Sequence, residues 1–147
     1  MSSSARLLRA LAAGVVLALL AACGAGGPSV RLAGQRYSVD LATTEEARER
    51  GLMFVADMPK DHGMLFVYDD AAPRSFWMKN CRIPLDILFF DGEARFVSAH
   101  YRVPTCQGGN CPNYPSEGPA RYVLELNAGV GQALGLKPGE PLTLPAR

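Results

Sequence analysis

The chain has 147 residues, is 48% hydrophobic and carries a formal net charge of +1, with 15 Lys and Arg against 14 Asp and Glu. That length holds one domain with a single core, and a balanced charge with no basic run argues against nucleic acid as a partner.

The first residues read as an export leader rather than as part of the fold. Arg6 and Arg9 supply a positive start, and 10–22 is wholly apolar or Gly. As a helix that run reaches only about 20 Å, short of a hydrocarbon core of about 30 Å. Leu20-Ala21-Ala22-Cys23 then resembles the lipobox of bacterial lipoproteins, in which the Cys sulfur takes a diacylglyceryl group and the leader is cut just before it. Lipidation at Cys23 would anchor the protein to a membrane, since each buried methylene contributes about 0.8 kcal/mol. Gly24 rather than Asp after the Cys points to the outer membrane, facing the periplasm; ordinary cleavage to a soluble periplasmic protein is the alternative. The expected layout is a signal peptide over 1–22, a Gly-rich tether over 23–29 and one β-rich domain over 30–147.

Along the domain, Val30 to Leu32 and Tyr37 to Leu41 alternate apolar and polar around Gly34, which predicts a hairpin. Thr43 with Glu46 three residues on is a capping-box pattern for a helix of about two turns that should stop at Gly51. Met64 to Tyr68 is apolar at every position, as in a strand covered on both faces, and Asp69 to Pro73 should break it. Asp91-Gly92 predicts a hairpin leading into a strand over Phe96 to Val103. A Pro- and Gly-rich loop follows to Pro119, a length usually functional or disordered. Tyr122 to Leu126 forms a further strand, Asn127 opens a single helical turn ending at Gly135, and Leu142 to Leu144 closes the chain. About seven strands with short turns predict an all-β fold, a β-sandwich or small barrel, with one or two short helices.

Within the loop, Cys106 and Cys111 are separated by four residues. In an oxidising compartment a disulfide is the default, worth roughly 2 kcal/mol for so short a loop. A zinc site completed by Cys81 and His100 is the rival.

The densest passage is Ser75 to Phe90. In a strand Phe76, Met78 and Asn80 point one way and Trp77 and Lys79 the other. Pro84 demands a break before Leu85, and Lys79 and Asp86 flank it in position for an ion pair. One reading makes Lys79, Asn80 and Asp86 ties across an irregular corner. The other makes Trp77 a stacking platform for a small ligand or glycan, with Lys79, Asn80, Asp86 and Arg50 as convergent polar groups.

The run Phe76 to Cys81, continuing through Ile83 to Asp86, resembles the signature of an uncharacterised bacterial and archaeal family, domain of unknown function 192. Arg50 to Met53, Gly63 to Phe66 and Val123 to Gly129 are similar to its other blocks, in the same order, so the resemblance spans most of the chain from Val30 to Leu144. It implies a compact β-rich domain and no established activity, and it implies that Thr often stands at the place of Cys81. The functional expectation is therefore an envelope lipoprotein that binds a small ligand, glycan or envelope protein, without cofactor or metal. Three alternatives remain: an enzyme using Cys81 with His62 or His100, a Cu(I) protein using Met53, Met58, Met64 or Met78 with thiols, or a purely structural envelope protein.

Overall fold

The computed structural model describes residues 26–146; the expected leader and Cys23 lie outside the described residues. Chain order is β1 (Ser29–Leu32), β2 (Gln35–Ala42), α1 (Glu45–Arg50), β3 (His62–Ala72), β4 (Ser75–Trp77), β5 (Leu85–Phe90), β6 (Phe96–Val103), β7 (Asn113–Pro115), β8 (Ala120–Asn127), a 3-10 turn (Gln132–Leu134) and β9 (Leu142–Thr143). The fold is all-β, as expected. Seven strands form one curled sheet in the order β6-β5-β8-β3-β2-β1-β9, and β4 and β7 form a separate two-stranded sheet. Among the described strands only β2 and β3 pair in parallel, which the crossover through α1 makes possible.

Local chemistry explains most element ends. The β1–β2 hairpin turns on Ala33 and Gly34, both at positive φ (48° and 78°), the geometry that a tight two-residue connection requires. Helix α1 is capped by Thr44, whose Oγ1 accepts from the Ala47 N–H at 3.2 Å, so the cap sits one residue beyond the expected Thr43. Acidic Glu45 and Glu46 in its first turn and Arg48 and Arg50 in its last complement the helix dipole, and Gly51 at φ 47° ends it.

Two expectations need correction. Asp69 to Pro73 does not break β3, which runs on to Ala72 through a bulge after Val67. Asn127 does not cap the turn near Gly135; its side-chain amide instead donates to the carbonyls of Met58 and Pro59, tying β8 to the loop before β3.

The central strands are covered on both sides, so the sheet separates two cores. One contains Val30, Leu65, Leu88, Phe90, Leu124 and Leu126, closed by Val130, Leu134 and Leu136 from the segment after β8. The other contains Phe66, Ile87, Phe89 and Val123, closed by Leu52 and Met58 after α1, Phe76 and Met78 of the β4 segment, and Cys81. Phe76 stands edge-on to Phe66 and to Phe89, at centroid distances of 4.9 and 5.8 Å, and so pins β4 over the sheet. Gly63 is required where β3 meets β8, because any side chain there would collide with the Glu125 carbonyl.

Candidate functional site

The covering of the second core leaves an open groove of about 1160 Å³ between α1, the end of β3 and β4. Its walls combine aromatic surface with charge: Tyr68, Phe76 and Trp77 stand among Glu45, Glu49, Arg48, Arg50, Asp69 and Arg74. Trp77 is 46% exposed, an unusual state for the chain's one Trp. Strand alternation accounts for it: Phe76 and Met78 point into the core, which leaves Trp77 and Lys79 on the outside. The Lys79 ammonium lies 5.0 Å from the Trp77 ring centre, in cation–π range.

Two of the groove's cations are already engaged. Arg48 donates to the carbonyls of Thr43 and Val67. Arg74 donates to the Ala120 carbonyl and to Asp70 at 2.7 Å, and stacks on Tyr68 at 3.8 Å from the ring centre. The Arg74 guanidinium holds the Asp70 carboxyl below its usual range, while burial pushes the Tyr68 hydroxyl up. These contacts build the wall. Arg50, which lines the groove, and Lys79, against Trp77, make no side-chain hydrogen bond or ion pair among the described residues.

The groove continues inward as a recess of about 30 Å³ between the end of α1 and β4, ending at Cys81 and Glu125. Glu125 lies mid-way along β8, paired with Met64 on β3 and Ile87 on β5, and is only 4% exposed. No hydrogen bond reaches its carboxyl oxygens among the described residues, and burial alone raises its pKa to about 8. Its protonated, neutral form is therefore the favoured one at pH 7. The Cys81 thiol is pushed up to about 11, first by burial and second by Glu125. A thiol so held is a poor nucleophile. The two imidazoles are committed elsewhere: His100 to the Pro115 carbonyl at 2.7 Å, His62 to Ser38 at 2.8 Å and Asp40 at 3.2 Å.

The structure thus brings together three of the five expected ligand residues, Arg50, Trp77 and Lys79. Asn80 is instead the corner itself. Its φ of 57° turns the chain, its N–H donates to Cys106, and its carbonyl accepts from Phe54. Asp86 lies on the opposite face of the sheet, fully buried, and its expected ion pair with Lys79 is not formed. Asp86 Oδ1 accepts from the backbone N–H groups of Arg102 and Gly129 at 2.7 and 3.0 Å, and Oδ2 from that of Gln132 at 2.8 Å. Three N–H groups that strand pairing cannot reach are satisfied by this one carboxylate, so it serves the fold.

Cys106 and Cys111 form the expected disulfide. That removes two of the thiols on which the rival zinc site depended. Cys106 also bridges to Lys79 and Cys81 through the backbone, so the stapled loop holds the strand that carries Trp77. Of the methionines weighed as soft-metal ligands, Met58 and Met78 are buried in the core and Met53 lines the groove. Among the described residues no cluster of three or more His, Cys, Asp or Glu is placed to hold a metal ion.

The pattern of the family domain of unknown function 192, described as an uncharacterized ACR, matches residues 29–144. The chain belongs to this family. Solved structures resemble the chain as well. A Sinorhizobium meliloti 1021 protein, described as a candidate transcription regulator, is 38% identical with a TM-score of 0.71, over 78% of this chain and 91% of its own. A protein of unknown function from Novosphingobium aromaticivorans DSM 12444 is 30% identical with a TM-score of 0.69, over 78% of this chain and 81% of its own. No curated protein matches the chain. Of the blocks that carry the family resemblance, Arg50 to Met53, then Phe76, Trp77 and Lys79, and Glu125 line the recess. Glu125 is the residue that sequence reasoning missed.

Proposed function

We propose that this member of the domain of unknown function 192 family is an outer-membrane lipoprotein, facing the periplasm, whose groove binds a small glycan. The observation that carries the reading is Trp77, exposed at the mouth of the groove with Lys79 against it and Arg50 beside it. An indole face suits the apolar face of a sugar ring, and surrounding polar groups suit its hydroxyls. The anchor is supported by the lipobox at Cys23, and a short tether after it would keep the groove close to the bilayer. Among the described residues no helix is long and apolar enough to cross a membrane.

The near-neutral charge gives no support to the regulator description of the Sinorhizobium protein as a guide here, because a DNA-binding surface needs a basic stripe. A hydrolytic role through Cys81 lacks support too, since its thiol stays protonated and neither imidazole hydrogen-bonds to it. Because Trp77 is the single indole, intrinsic fluorescence reports on the site without labelling. Titration with soluble envelope oligosaccharides should shift that emission saturably. Silence across neutral, amino and acidic sugars would reject glycan binding. Mass spectrometry of the mature protein should find a lipid-modified Cys23 as its first residue; an unmodified chain starting at Met1 would reject the anchor.

A further inference from the structure

We propose that the recess ending at Glu125 is the specificity pocket of the groove and receives the acetamido group of an N-acetylated amino sugar. This rests on the glycan reading above and adds the substrate class. Three features of the recess select such a group. Its walls are apolar: Leu52, Phe66 and Phe76, with the Met53 thioether and the Cys81 sulfur. Its mouth is the exposed Trp77, where a pyranose ring can lie. Its floor is one carboxyl, 4% exposed, which takes no hydrogen bond from the described residues and whose oxygens are not sealed off from the recess. A ligand entering the recess can supply the partner that the described residues do not.

The partner must be neutral, short and partly apolar. An ammonium or carboxylate entering so small and apolar a space would lose its hydration. A hydroxyl would leave the apolar walls unused. An acetamido group offers a carbonyl oxygen to accept from the Glu125 O–H and a methyl to lie against Phe66 and Phe76. The recess holds about one water's share of space at 30 Å³, so the group enters only as a wall gives way. Met53 is that wall, being unbranched and half-buried.

The groups that face Glu125 leave its proton in control of the pocket. In the sheet its paired neighbours are Met64 and Ile87, which do not titrate, and Tyr68 of β3 also feels its charge, with a hydroxyl that burial pushes up. From the β4 segment come Cys81, neutral until about pH 11, and Lys79 at the mouth. From α1 come Arg48, Glu49 and Arg50, also at the mouth, and Arg48 is held by two backbone carbonyls. Below about pH 8 the floor donates a hydrogen bond; above it, a carboxylate faces the ligand's carbonyl oxygen and binding weakens.

The test is calorimetric titration of the whole protein at pH 7 and pH 9 with three β-1,4 trisaccharides: of N-acetylglucosamine, of glucose and of glucosamine. The N-acetylated trimer should bind about tenfold tighter than the glucose trimer at pH 7 and lose most of that margin at pH 9. Glu125→Gln keeps a neutral N–H donor, so it should hold its affinity within about threefold at both pH values. Glu125→Ala should lose about tenfold for the N-acetylated trimer alone. Should the Ala variant fail to fold, the Gln variant and the three sugars still decide. Equal binding of the N-acetylated and glucose trimers overturns this pocket while leaving a glycan groove in place. A pH dependence that survives in Glu125→Gln also overturns it. Binding of none of the three overturns the pocket and tells against the groove reading as well.

Discussion

Two acidic side chains sit back to back in this sheet, and their surroundings differ in the one respect that separates structure from function. Asp86 and Glu125 belong to adjacent strands, where Asp86 pairs with Leu126 and Glu125 with Ile87. Both are buried. On its face Asp86 meets three backbone N–H groups, supplied by a bulge in β6 and by the turn after β8. On the other face Glu125 meets rings, a thioether and a thiol. Chain segments that must leave the sheet create donors, and a carboxylate placed among them closes the fold. A carboxyl placed among apolar groups beneath an open groove contributes nothing to folding that Leu would not contribute better.

The comparison breaks most visibly at Asp86. Asp86→Ala leaves three buried N–H groups unpaired and should destabilise the protein by roughly 3–5 kcal/mol, measured by urea denaturation. An unchanged midpoint would mean that water already satisfies those groups and that the contrast between the faces is false. Glu125→Gln should move the other way at alkaline pH. The folded state holds the Glu125 proton up to about 8, whereas the unfolded chain releases it near the ordinary 4.5. That proton's stabilisation is full below about 4.5 and declines as pH rises to about 8. Its slope is about 1.4 kcal/mol per pH unit. The Gln variant lacks this decline, so at pH 8 it should be more stable than the wild type by a few kcal/mol. Parallel stability–pH curves for the two proteins would place Glu125 in a polar setting.

How far this contrast could be read from sequence depends on what each residue type can announce. Turn chemistry is local, so Gly34, Gly51, Pro84 and the end of β8 placed most strands within a residue or two. Trp77 and Lys79 were legible because alternation against Phe76 and Met78 leaves them outward. Glu125 was not. Alternating with Tyr122, Leu124 and Leu126, it reads as the solvent face of an amphipathic strand. In fact β8 is central and its other face is buried beneath Cys81 and Phe76, which come from more than forty residues earlier in the chain. The available signal was Val123, an apolar residue on the supposed solvent face. Asp86 misled for a related reason. Its position beside the Pro84 break suggested Lys79 as a partner, but the pleat sends the two side chains to opposite faces. Its actual partners are backbone groups, which sequence cannot rank.

A smaller effect tests how the Glu125 face is closed. Cys106 and Cys111 clip the loop that bridges to Lys79 and Cys81. Replacing both with Ser should cost about 2 kcal/mol through the freed unfolded chain. The loss should come with faster hydrogen exchange at Lys79 and Cys81 and leave the N–H groups held by Asp86 protected. Uniform loosening on both faces would show instead that the staple acts on the whole fold and not on the groove.

The smallest stability change belongs to the residue with the largest proposed role. Trp77 is about half exposed and sits on a two-stranded sheet, where it pairs with Asn113. Its removal uncovers little and empties no core space, so Trp77→Ala should shift stability by about 0.5 kcal/mol or less. A core Trp of the same size would cost 3–5 kcal/mol. If the measured loss approaches that range, Trp77 is a cover for Phe76 and the Lys79 stem, and the groove loses its platform. If stability holds while saccharide binding falls at least tenfold, a large aromatic side chain is being kept at the surface for what it touches outside the protein.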